Sequence, residues 1–302
     1  MQAMLGLLQT MSTGAELLPQ LMLTIKSTWG IVLLGLLAGL FLCSRYVNLR
    51  GRVKVAGMAV ILALGIGAWC WVPPAGGDVS IAFLDVGRGE SALISTASGK
   101  RVLIDTGNGS GAATYLLKQG LQADMTFLTK LRTDHAGGLD GLMEEGLEGQ
   151  VYSSEANAEL LGLKYQGEAF YGLEKGDIIQ IDEENALQAV WLGEGEDGAL
   201  VLLLLHRGEG LCLFMSDAAL EDERAIQGEV KSDIIKLGRN GRSSATSPEL
   251  LERAAPRLAV MTSNGGTLAD TGDLPVYDTR EDGTVTVTVA EGQIEVKTAD
   301  EG

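Results

Sequence analysis

Two long apolar runs lie near the start of the chain, and short alternating stretches follow them. Trp29–Cys43 reads WGIVLLGLLAGLFLC and Val53–Val72 reads VKVAGMAVILALGIGAWCWV, neither with a polar face. A helix needs about 20 apolar residues to cross a bilayer. The pattern therefore predicts two transmembrane helices, at about residues 28–43 and 53–72. Lys54 can snorkel at one end of the second run, while Trp69 and Trp71 suit an interface at the other. Two buried helices of a soluble protein would each show a polar side, which is missing here. A cleavable signal peptide fits poorly too, because the first run starts late and has no basic segment before it.

After Pro73-Pro74 come short β-rich runs bounded by turn signals such as Ser98-Gly99-Lys100, Asp105–Gly109 and Glu281-Asp282-Gly283. Strands are expected at Val79–Leu84, Ser91–Ser95, Arg101–Ile104, Met125–Thr129, Ile178–Ile181, Leu187–Leu192, Leu200–His206, Leu211–Met215, Asp233–Leu237, Leu258–Thr262, Thr284–Val289 and Gln293–Lys297. Helical stretches fall between them at Ala112–Gln119, Leu139–Glu145, Ala156–Leu161, Ala218–Gln227 and Pro248–Ala254. Strands dominate both halves, so two packed sheets with helices outside are expected. The domain division is then 1–77 for the membrane region and 78–302 for an extracytoplasmic domain.

Charge separates the same two parts. Residues 1–77 hold Lys26, Arg45, Arg50, Arg52 and Lys54 against the single acid Glu16. Residues 78–302 therefore carry −21, the −17 of the whole chain less the +4 of its first 77 residues. Four of the basic residues, Arg45, Arg50, Arg52 and Lys54, sit in or beside the short link between the apolar runs, and such loops stay in the cytoplasm. That orientation puts the larger domain outside a bacterial cell membrane, with membrane lipid as a partner. A domain so acidic offers no broad nucleic-acid surface, although a local basic cleft is compatible with it. The three cysteines make neither a disulfide framework nor a thiolate metal site.

Five motifs then occur in a recognisable order. Val79–Gly107 reads VSIAFLDVGRGESALISTASGKRVLIDTG, Leu128–Leu139 reads LTKLRTDHAGGL, and Ala199–Asp217 reads ALVLLLLHRGEGLCLFMSD. Asp233–Ser247 reads DIIKLGRNGRSSATS, and Pro275–Lys297 closes the series. The order resembles the outer domain of ComEC-type DNA-uptake proteins, whose patterns are FLDVGQGD…LIDTG, LTH-x-H-x-DH-x-GGL, a strand pair ending LLTGD, D-LKVPHHGS and Y-T-xx-G-x-V-x-V. The resemblance implies an α+β fold, a metallo-β-lactamase-like αββα sandwich, preceded here by the two transmembrane helices. It also implies a role in, or derived from, DNA uptake.

The same resemblance marks a site that has lost its ligands. Zinc takes about four N, O or S ligands, and a hydrolytic centre leaves one position for water. The family's two leading histidines stand here as Lys130 and Arg132, and its paired histidines as Arg239 and Asn240. Asp134, His135 and Asp217 remain. His206 aligns with a strand end, so His135 is the single histidine within the site. Three cations in place of imidazoles would repel a divalent ion at short range, and an Arg is never a ligand. The expectation is a non-catalytic domain without a cofactor, its cations either paired with Asp134 and Asp217, with Asp85 and Asp105 as further candidates, or solvated loop residues that drifted once function was lost.

Alternatives share these residues. Asp134 and His135 are the candidate catalytic pair, and with Asp217 they are the candidate ligands of a weak zinc or manganese site in a membrane-tethered hydrolase or nuclease. Lys130, Arg132, Arg239 and Arg242, with Ser243, Ser244 and Thr246, are a candidate phosphate or DNA contact. Gly87–Glu90 reads as a turn between strands, and Glu221-Asp222-Glu223 as a solvated helix face. The sequence is far shorter than the family's usual multi-span channel, so either a separate channel subunit is its partner or it is a relic.

Overall fold

A computed structural model of the chain describes residues 78–299, except 167, 194–197, 229 and 264. The two expected membrane spans lie outside the described residues. Among the described residues no helix is long and apolar enough to cross a membrane.

Alternation along single strands builds the sandwich. In β1 (Val79–Phe83), Val79, Ile81 and Phe83 enter one core while Ala82 turns to another. In β9 (Leu200–His206), Leu200, Leu202 and Leu204 enter that same first core, while Val201 and Leu203 face the opposite way. Successive side chains of a strand point to opposite faces, so a run buried throughout must be covered on both sides. The shared core lies between two sheets, where each fully buried Leu or Phe contributes about 1.5–3 kcal/mol.

The first sheet has eight strands in the order β15-β14-β1-β2-β3-β4-β5-β6. These are Gln293–Lys297, Val285–Ala290, Val79–Phe83, Ala92–Thr96, Arg101–Ile104, Met125–Phe127, Gln150–Ser154 and Phe170–Leu173. The second has seven in the order β13-β12-β11-β10-β9-β8-β7. These are Val276–Asp278, Leu258–Met261, Ile234–Lys236, Glu209–Phe214, Leu200–His206, Asn185–Leu192 and Ile178–Gln180. Helices α1 (Gly111–Gln119) and α3 (Leu139–Glu144) cover the first sheet through Ala112, Ala113, Leu116 and Leu142. Helix α4 (Glu155–Lys164) adds Leu161 to a smaller cluster with Leu128 and Val151. On the second sheet, α6 (Pro248–Ala254) buries Leu250 and Ala254, and Ser247 caps it by accepting the Leu250 N–H. The layers are those of an αββα sandwich.

Several stretches differ from expectation, among them the short strand β13 and a helical turn at Thr133–Ala136, neither of which was expected. Strands β5 and β6, at Gln150–Ser154 and Phe170–Leu173, were not expected, because QVYSS is mostly polar and FYGL carries a glycine at the sheet edge. Helix α5 (Leu220–Ala225) does not present a wholly solvated acidic face. Glu223 is buried and accepts the Ser247 N–H at 2.9 Å, and Asp222 caps the helix by accepting from the Ala219 N–H at 2.7 Å.

Each sheet contains a parallel set, β3-β4-β5 in one and β10-β11-β12 in the other. The chain leaves β3, β4, β10 and β11 from their carboxyl ends into loops that meet on one side, which is where such sheets hold ligands.

Candidate functional site

Asp105 follows β3 directly and is 3% exposed. Its Oδ1 accepts the Thr129 N–H at 2.7 Å, and its Oδ2 accepts the Thr129 hydroxyl at 2.6 Å. His135 Nδ1 lies 2.8 Å from the same Oδ2. Thr129 follows β4, and its Oγ1 in turn accepts the hydroxyl of Ser216, beyond β10, at 2.8 Å. These four side chains tie the two sheets together at the loop end.

His135 lies on the short helix α2 (Thr133–Ala136). Glycines make the close packing around it feasible. A side chain at Gly89 would collide with the backbone of Asn108 and Asp134, and one at Gly138 with the carbonyls of Thr106 and Gly109. The Glu90 N–H donates to the Asp134 carbonyl at 2.8 Å, which seats the Gly87–Glu90 turn on this helix. The turn expected there exists, and it also delivers a buried carboxylate.

Three carboxylates converge, and each meets a cation of the chain. Glu90 Oε1 is 2.9 Å from Lys236 Nζ, both side chains below 8% exposed, in a contact that is Coulombic rather than a directed hydrogen bond. Asn240 Nδ2 donates to the same oxygen at 3.3 Å. Asp217 Oδ2 is 3.2 Å from Lys130 Nζ and 2.7 Å from Arg132 Nη1. Arg132 Nη2 reaches Asp134 at 2.9 Å, and Arg239 Nε donates to the Asp217 main-chain carbonyl at 3.0 Å.

His135 lies between two of these acids, with Nε2 3.7 Å from Asp217 Oδ1. Burial opposes a charge on the ring, but Asp105 above all, helped by Asp217 and Glu90, outweighs it and holds the pKa well above 6.5. Burial likewise opposes the Asp217 charge, and His135, Lys130 and Arg132 together hold its carboxyl well below the ordinary range. Only a ring nitrogen without its proton offers a metal ion a lone pair.

Glu90, Asp105 and His135 each offer one ligand atom, and these atoms lie within 4.8 Å of one another, so the group could hold a metal ion. Binding would require His135 to give up a proton and Glu90 to leave Lys236.

Lys130 and Arg132 meet Asp217 and Asp134 as expected. Arg239 reaches only the Asp217 backbone, and Asp105 pairs with the imidazole rather than with Lys or Arg. Asp85 is exposed and accepts the Gly87 N–H at 3.0 Å, so it takes no part. Asp134 meets Arg132 at 2.9 Å. His206 lies away from the site, 2.8 Å from Asn185 Oδ1. Glu90, Lys236, Thr129 and Ser216 escaped the reading of the sequence. Of these, Glu90 had a signal, since it stands where the related motif GQGD has its acid.

Above these pairs opens a cleft of about 300 Å³, lined by Lys130, Arg132, Asp217, Arg239, Asn240, Arg242 and Ser244. Ser243 and Thr246 are not among its lining residues. Seven non-glycine residues among those described have positive φ, and four of them, Asp105, Ser216, Arg239 and Asn240, border this site. Clustered strain of this kind marks positions that the surrounding structure holds deliberately.

The two-sheet topology and loop-end site define a metallo-β-lactamase-like α+β fold. Igni18, a metallo hydrolase from the hyperthermophilic archaeon Ignicoccus hospitalis KIN4/I, is similar in fold at TM-score 0.51 and 14% identity, covering 68% of this chain and 98% of that one. The metallo-β-lactamase fold protein YhfI from Bacillus subtilis gives TM-score 0.49 and 10% identity, over 66% and 97%. In sequence, the chain is similar to ComE operon protein 3 of Bacillus subtilis (strain 168), with 21% identity over 61% of this chain. The resemblance to ComEC-type proteins carried by the motifs is thus found again in a match over 61% of the chain. The match spans 28% of that relative's length. No family model matches the chain.

Proposed function

We propose that this is a membrane-anchored ComEC-like protein whose outer domain is a pseudoenzyme, keeping the metallo-β-lactamase frame without metal catalysis. One observation carries the reading: Glu90, Asp105 and Asp217, three buried carboxylates, are matched by Lys236, His135 and Lys130 of the same chain. Buried charges cost several kcal/mol each unless paired, so a centre balanced in this way has no need of a divalent ion. Lys130, Arg132, Arg239 and Asn240 are then degenerate ligand positions, and no resident cofactor is required. The two apolar runs anchor the chain in a bacterial cell membrane, with the domain outside the cytoplasm. Its role is interaction within DNA uptake, with a channel subunit as the partner, a choice that rests on the resemblance alone.

The second reading is a membrane-tethered, metal-dependent hydrolase or nuclease acting on DNA or another phosphoester. The approach of Glu90, Asp105 and His135 favours it. Elemental analysis of the full chain in detergent, with a nuclease assay in zinc or manganese, separates the two. The pseudoenzyme reading expects substoichiometric metal, no hydrolysis and a melting temperature indifferent to chelator. Stoichiometric zinc or manganese with DNA cleavage would establish the hydrolase instead.

A further inference from the structure

We propose that the mouth of the cleft is a receptor for a single phosphate dianion, free or at the end of a chain, gripped by Arg132, Arg239 and Arg242 above the buried Lys130 without a metal ion. The proposal rests on the metal-free reading of the buried centre beneath it. Of the seven lining residues four are cationic and one, Asp217, is a carboxylate. Asn240 and Ser244 add neutral polar groups. The whole chain is −17, so this pocket reverses the sign of its surroundings over a small volume.

Asp217 does little to cancel that charge outward. Its carboxylate is already shared by Lys130 and His135 in the buried layer and by Arg132 from the rim. Arg239 spends its Nε–H on a neutral carbonyl, which orients the guanidinium without neutralising it. The backbone also points to a ligand. Arg239, Asn240 and Gly241 stand consecutively at φ 46, 59 and 75, and the two side chains of this left-handed run both line the cleft. Arg239 is disfavoured in this conformation, which asparagine and glycine adopt readily, and such outliers cluster at ligand clamps.

The chemistry favours a terminal phosphate over a phosphodiester. A monoester dianion presents three charged or polar oxygens to a converging set of donors, and guanidinium groups bind such oxygens in pairs. A diester carries a single charge, and a long nucleic-acid backbone would have to cross the acidic remainder of the domain. The phosphate could belong to free inorganic phosphate or to the 5′ end of a nucleic acid, and the two sources are separable.

Isothermal titration of the full chain in detergent at low salt provides the test, using inorganic phosphate and hexathymidylate with either a 5′-phosphate or a 5′-hydroxyl. Saturable binding of phosphate is expected, unchanged by EDTA and weakened roughly tenfold or more in Arg239→Gln. If the 5′-phosphorylated oligomer binds more tightly than phosphate and the 5′-hydroxyl form does not bind, the ligand is a nucleic-acid end. If phosphate alone binds, it is the free ion. Absence of saturable binding in a metal-free chain would overturn the proposal and leave the pseudoenzyme reading standing. So would full affinity in Arg239→Gln and Arg242→Gln variants that melt with the parent. Binding abolished by EDTA and restored by zinc would overturn both.

Discussion

Below the cleft, Glu90, Asp105 and Asp217 are 5%, 3% and 7% exposed, and each has a cation of its own. At the mouth, the Arg132 side chain is 52% exposed, and cations outnumber the acids around them. The two layers are built from adjacent residues, Lys130 with Arg132 and Asp217 beneath Arg239, yet they obey different rules. Burial forces stoichiometric pairing below, because an unpaired charge out of water is costly. Water screens the mouth, so charge can accumulate there and be used for binding.

The largest expected effect tests the lower layer. Asp105→Ala strands the His135 ring and the Thr129 N–H together, and should cost about 3–5 kcal/mol in urea unfolding. A loss below about 1 kcal/mol would mean that the buried layer is as forgiving as a solvated surface. Next, Glu90→Leu and Lys236→Met should each be strongly destabilising, while the double variant should recover much of the loss, as buried pairs replaced together do. A double-mutant cycle reads this directly, and additive losses would show that the two charges are not partners.

The imidazole gives a pH signature. Its folded pKa is raised above 6.5, so its contribution is complete below that value and disappears as pH rises through the folded pKa. Asp217 has the opposite sign: its pKa is depressed, and its contribution disappears as pH falls below the ordinary carboxylate range. Urea midpoints followed from acid to alkaline pH should therefore decline at both ends, and His135→Asn should flatten the alkaline decline. Smallest of all should be Arg132→Ala, within about 1 kcal/mol of the parent in thermal melting, since Lys130 still holds Asp217. A much larger drop would move Arg132 into the buried layer.

Much of the fold could be read in advance because strands such as Val79–Phe83 and Leu200–His206 declare their period locally. Strand β5 hid because Gln150–Ser154 is half polar, and its place is set by pairing with Met125–Phe127 rather than by its own pattern. The site divided in the same way. Lys130, Arg132, Asp134, His135, Asp217, Arg239 and Asn240 occupy motif positions, so the resemblance to the ComEC-type pattern brought them to notice. The Glu90–Lys236 pair joins the two halves of the domain, and no local pattern links a glutamate in a glycine turn to a lysine in a buried strand. The Thr129–Ser216 bond was equally hidden, since each hydroxyl alone resembles any loop residue.

The left-handed run at Arg239–Gly241 restricts what this surface can become. Valine, isoleucine and threonine, branched at Cβ, are excluded from the first two positions by their own backbones, while asparagine and histidine tolerate the geometry best. Variation there is channelled among a few polar side chains, whatever the pocket is selected to hold. The backbone has in effect written the vocabulary from which any future ligand chemistry at this rim must be drawn.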